Sequence, residues 1–215
     1  MRVDNFTTKV VSTNIPTIHL VTILDSSGSM NEGVGSKWDN AVKGVQQEIE
    51  ALKQDTSINY IYSLVVFGNS RKNVIWQQPI QEVVYDSSWR SQSATALYQT
   101  IGATLESYPT DYPVLVKIYT DGQHNVNTGK YSKASEVSAL LQQLKKKDVT
   151  VTFIGTEYDV AQIQRDLNIA KGNTLVHDNT GVGMKESFKK SLDATQSYLR
   201  KVATGEFTKT LNFYQ

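Results

Sequence analysis

The stretch IHLVTILDSSGS, residues 18–29, carries the decisive pattern of this chain. Its apolar run, Ile18 to Leu24, stops on Asp25, and three serines and a glycine follow directly. A short apolar run bounded by turn-forming residues is the mark of a strand buried on both faces. Such a strand needs a layer on each side, which predicts helices on both faces of a parallel sheet. It leaves the core through a charge and a row of short hydroxyls, and those oxygens call for a chemical reason.

Outward from this strand, apolar segments alternate in period. Ser36 is a good N-cap with Asp39 three places on, and Trp38, Ala41, Val45, Ile49 and Leu52 then repeat at helical spacing. Tyr60 to Phe67 is β-branched and aromatic, a second strand. Val74 to Trp76 and Val83 to Tyr85 flank QQPIQE and are expected as two shorter, edge-like strands. Leu97, Ile101, Leu105 and Tyr108 mark a second helix, and Val114 to Tyr119 a strand stopped by TDG. Ser132 is expected to cap a third helix bearing Val137, Leu141 and Leu144, closed by the lysines at 145–147, a solvated face that complements the helix dipole. Val149 to Ile154 is a strand, Val160 to Leu167 a short helix, Thr174 to Val176 a last strand, and Met184 to Val202 a final helix. The alternation predicts an α/β fold: a doubly wound, mostly parallel sheet with helices on both faces and one short antiparallel edge strand. No repeat or long linker divides it, so the expected organisation is a polar arm at 1–15, one domain at 16–202 and a tail at 203–215.

Composition narrows the function. With 22 basic and 21 acidic residues the net charge is +1, which gives no overall attraction to nucleic acid or anionic membrane. There are no cysteines, which removes disulfides, thiolate nucleophiles and thiolate zinc sites. The first residues lack the continuous apolar segment of a secretory signal, and no run approaches the roughly 20 residues that span a bilayer. The expected location is therefore the cytoplasm.

In open α/β sheets ligands sit beyond the carboxyl ends of the strands, where the winding reverses. Asp25 ends the first strand and Asp121 follows the strand Val114 to Tyr119. If the first strand is central and the chain crosses over to this one beside it, both carboxylates meet in one crevice. Thr95, in SQSATALY just before a helix, belongs to the same rim. Ser27, Ser29 and Thr95 offer neutral hydroxyls, Asp25 and Asp121 two charges. An all-oxygen set with few charges suits a hard divalent cation, Mg²⁺ first, with Mn²⁺ or Ca²⁺ as alternatives. Two aspartates at such a site repel, so at least one is expected to have a raised pKa and metal affinity to fall in acid.

The segment Asp25-Ser26-Ser27-Gly28-Ser29 resembles the D-x-S-x-S motif of von Willebrand factor A domains. Thr95 before ALY resembles that family's isolated threonine, and Asp121 in TDG its second aspartate. The resemblance covers roughly residues 16–202 and implies a Rossmann-like fold with a complete metal-ion-dependent adhesion site (MIDAS). It implies Ser27, Ser29 and Thr95 as metal ligands, with Asp25 and Asp121 acting largely through water and hydrogen bonds. It implies a protein-binding module in which an Asp or Glu of a protein partner completes the metal's coordination. With no secretory signal seen, it further implies an intracellular bacterial or phage adaptor; the balanced charge leaves no part expected for nucleic acid or membrane.

Enzymatic alternatives fit the residues less well. A haloacid-dehalogenase-type phosphotransferase needs a second acid where Ser27 stands. GSMNEGVGSKW, residues 28–38, lacks the Gly-Lys-Ser/Thr of a phosphate loop, and Ser29 is in no G-x-S-x-G elbow. The alternative that survives is a metal-dependent hydrolase acting on phosphate esters. Asn125, close after Asp121, is expected as a turn residue, with support of the rim as the alternative; His124 is expected as an exposed loop residue and His177 as a strand-end residue, neither with metal-ligand spacing.

Overall fold

The computed structural model describes residues 15–31, 35–86, 93–206 and 209–215. Apart from Ile15, the expected N-terminal arm lies outside the described residues. Strands and helices follow one another as β1 (Thr17–Asp25), α1 (Lys37–Gln54), β2 (Asn59–Phe67), β3 (Arg71–Pro79), α2 (Leu97–Ser107), β4 (Val114–Tyr119), α3 (Ala134–Leu144), β5 (Val149–Gly155), α4 (Glu157–Leu167), β6 (Thr174–Val176) and α5 (Gly181–Ala203). No described helix is long and apolar enough to cross a membrane.

The six strands form one sheet in the order β3-β2-β1-β4-β5-β6. All neighbours are parallel except β2 and β3. Every β1 residue after Thr17 is buried, as a strand covered on both faces must be. Its side chains alternate between two cores. Ile18, Leu20 and Leu24 face the layer of α1 and α5, while Val21 and Ile23 face α2, α3 and α4. The chain is thus doubly wound, as its alternation predicts, and the winding reverses between β1 and β4.

Helix α1 starts where Ser36 accepts a hydrogen bond from the Asp39 amide at 3.1 Å. It packs closely on α5 because of Gly44: a Cβ there would stand 2.3 Å from the Phe188 ring. That ring in turn stacks on Tyr119 of β4 at 4.0 Å. Beneath α1, Lys117 of β4 pairs with Glu48 inside the core. Thr22 and Tyr62 both donate to Glu48 Oε2, at 3.2 and 3.3 Å. Burial pushes the Lys117 ammonium down to about 7.

Three local expectations are corrected. Val83 to Tyr85 is no strand: a 3-10 turn at Ile80–Glu82 follows Pro79, and the antiparallel edge is β3 alone. Pro79, lacking an N–H, ends that edge naturally. Ser132 does not cap α3; Lys133 holds the cap position, and its amide donates to Glu136 Oε2 at 3.1 Å. His124 is half-buried rather than exposed, lying 4.4 Å from the Tyr98 ring with Nε2 3.2 Å from the Ser132 carbonyl. Strand β3 is itself irregular. The β2–β3 register shifts at Leu64, and Gln77 adopts a left-handed φ of 51°, its amide donating to Ser63 Oγ at 2.8 Å. In the tail, Phe213 is buried against Tyr198, and Lys209 donates to the Lys145 carbonyl just past α3 at 2.7 Å.

Candidate metal centre

The parallel pairing of β1 with β4 sets the geometry of the site. Leu24 is in register with Tyr119, so Asp25 comes opposite Thr120 and one residue from Asp121. Both carboxylates therefore reach the crevice beyond the strand ends at the switch point. The loop after β1 turns at once: the Ser26 amide donates to the Phe67 carbonyl at 2.7 Å, and residues Gly28–Asn31 form a 3-10 turn.

Four of the five residues singled out from sequence are linked by direct hydrogen bonds. The Ser27 amide donates to Asp25 Oδ1 at 2.7 Å. Ser27 Oγ lies 3.2 Å from Ser29 Oγ, and Ser29 Oγ donates to Asp121 Oδ1 at 2.8 Å. Thr95 joins them in space. A Cβ built on Gly122 would stand 3.4 Å from Thr95 Oγ1, 3.8 Å from Ser29 Oγ and 3.9 Å from Asp25 Oδ2. Gly122 thus leaves a small cradle open where oxygens from the end of β1, the turn after it and the segment before α2 converge, and a larger side chain there would fill it.

Three further residues support the site; of these the sequence offered only Asn125 for such a part, as the alternative to a turn role. Thr120 Oγ1 donates to Asp25 Oδ2 at 2.5 Å. Asn125 is more than a turn residue: its Oδ1 accepts from the Thr95 amide at 2.8 Å, and its own amide donates to the Thr95 carbonyl at 3.1 Å. Lys37, at the start of α1, pairs with Asp121 Oδ2. Thr120 was visible as a hydroxyl beside Asp121 and Asn125 by its place close after it; Lys37 arrives by folding and leaves no spacing signal.

Asp25 is fully buried, which lifts its carboxyl to about 6. Hydrogen bonds from Thr120 and Ser27 pull the other way, and the Asp121 charge adds a final, smaller rise. The raised carboxyl expected from sequence is present, but burial rather than aspartate repulsion is its main cause.

The donor chemistry fits a hard cation. Among the described residues no group of three His, Cys, Asp or Glu side chains could hold a metal. A cation in this cradle would depend on hydroxyl oxygens, the ligand class preferred by small hard ions.

No protein-family model and no curated protein matches the chain. Solved structures do match. A von Willebrand factor type A structure from Catenulispora acidiphila aligns with a TM-score of 0.57 at 15% identity, over 84% of this chain and 43% of that one. The ArnB paralog VWA2 from Sulfolobus acidocaldarius aligns with a TM-score of 0.55 at 20% identity, over 82% of this chain and 45% of that one. Proximal thread matrix protein 1 from the mussel byssus, solved with a zinc-occupied MIDAS motif, aligns at 0.58 and 14% identity, over 83% of this chain and 48% of that one. The chain spans about half the length of these structures. It has the Rossmann-like fold of von Willebrand factor type A domains.

Proposed function

We propose that this chain is a metal-dependent protein-binding module with a MIDAS built from Asp25, Ser27, Ser29, Thr95 and Asp121. The observation that carries the reading is the convergence of three hydroxyls from two loops and two strand-end carboxylates beside Gly122. Ser27, Ser29 and Thr95 would hold the ion directly, and Asp25 and Asp121 would balance its charge. A divalent ion, Mg²⁺ first and Mn²⁺, Ca²⁺ or Zn²⁺ otherwise, would supply a Lewis-acidic positive charge able to attract a partner's Asp or Glu carboxylate. Neutral direct ligands leave more of that charge for the partner. The zinc-occupied MIDAS of the mussel protein supports a divalent ion on this fold. The module is proposed as a cytoplasmic adaptor; the absence of cysteine suits a reducing compartment.

The test combines capture with catalysis. The immobilised chain should retain partner protein in Mg²⁺ and release it to chelator, and Ser27→Ala or Thr95→Ala should abolish retention with the fold intact by circular dichroism. Capture that ignores chelator contradicts a bridging ion. Cation-dependent phosphate-ester hydrolysis lost in Asp121→Ala would replace the adaptor with a hydrolase.

A further inference from the structure

We infer that Lys37 is an internal cation that competes with the divalent metal for Asp121 and so sets how strongly the site holds it. This rests on the metal-site reading above. The Lys37 ammonium pairs with Asp121 Oδ2 and donates to Asn179 Oδ1 at 2.6 Å. The lysine side chain is 8% exposed and that of Asp121 0%, so solvent screens the pair poorly.

The two oxygens of Asp121 have divided roles. Oδ1 accepts from the Ser29 hydroxyl at 2.8 Å, inside the cradle, while Oδ2 is held by the lysine. A primary ammonium and a small hard metal ion seek the same carboxylate oxygens. Lys37 cancels one of the site's two carboxylate charges and places a fixed positive charge at its edge. An entering divalent ion has either to tolerate that charge or to drive it off Asp121. Asn179 is the group that would retain it, since its carbonyl oxygen already accepts from the ammonium. Asn179 immediately precedes Thr180, the N-cap of α5. The same side chain therefore fastens the entry of α5 to the head of α1 while it guards Asp121.

A purely structural lysine makes the opposite prediction. If Lys37 only holds Asp121 in a binding-ready position, removing it would weaken metal binding or leave it unchanged.

Mn²⁺ titration by calorimetry and by electron paramagnetic resonance separates the two. Lys37→Met and Lys37→Gln should bind Mn²⁺ about tenfold tighter or more than the parent, whereas Lys37→Arg, which keeps the charge, should stay near it. In chelator, the neutral variants should melt lower than the parent and gain more from added Mn²⁺. Lys37→Gln keeps an amide able to donate to Asn179, and so carries the comparison where Lys37→Met loses the fold. Unchanged or weaker affinity in the neutral variants, with the parent binding Mn²⁺, overturns the competition alone. No binding by parent or variants overturns the metal-site reading as well.

Discussion

Asp25 shows at a single residue how binding and stability oppose one another. It is completely enclosed, yet a metal site needs it ionised. Its folded-state pKa of about 6 lies above the ordinary 3.8, so the native chain holds a proton that the unfolded chain has lost between these values. Stability therefore falls as pH rises through about 4 to 6, and the deficit of roughly 3 kcal/mol persists at neutral pH. Asp25→Asn should relieve it: in chelator, its melting temperature should exceed the parent's by a margin that grows from pH 4 to 6 and then levels. The Thr120 hydroxyl can turn to accept from the new amide and donate to the Gly122 carbonyl, 3.0 Å away. A margin independent of pH across melts from pH 4 to 7 would contradict the assignment. Metal affinity of the parent should fall in calorimetry as pH drops through about 6, where protons compete for Asp25. At this scale the oxygen-bearing residues were legible because short local patterns carry them. Lys37 was not, and Asn125 only as an alternative to a turn role, because their parts depend on which loops meet in space.

At the scale of elements, the contact between α1 and α5 rests on an absent side chain. Gly44 lets Phe188 lie against the helix backbone and stack on Tyr119. Gly44→Ala should force the helices apart and destabilise the fold by about 1–3 kcal/mol, despite alanine's better helix propensity. Urea unfolding gives the sign directly: a stabilised variant would show that α5 shifts without cost. The helix itself was plain from Trp38 to Leu52, whose apolar side chains return every three or four residues. Val83 to Tyr85 misled because three apolar residues have no period of their own, and only the turn after Pro79 decides their state. Ser132 misled because the cap is set one residue later, by where the chain first takes helical geometry.

For the whole molecule, the order of strands was the least legible feature. Alternation implies a parallel sheet but not that β1 is central, and the meeting of Asp25 with Asp121 follows only from that order. One device ties the layers together: Lys117 on β4 and Glu48 on α1, both buried, with Thr22 and Tyr62 donating to the same carboxylate. Breaking one side, as in Lys117→Met or Glu48→Gln, should cost about 3–5 kcal/mol, because the remaining partner is left buried without its counter-charge and has to neutralise or stay unpaired. The double variant should recover much of that loss in denaturant titrations. Simple additivity of the two single effects would show that the pair is not coupled. The border strand β3 has a different consequence. A nine-residue margin of sheet is long enough to recruit a second chain. Here the slipped ladder, the left-handed Gln77 and the missing amide of Pro79 interrupt its row of donors, and Lys72 sets a charge on it. A neighbouring copy would meet no regular template on this margin, the device by which edge strands are blunted against ribbon growth.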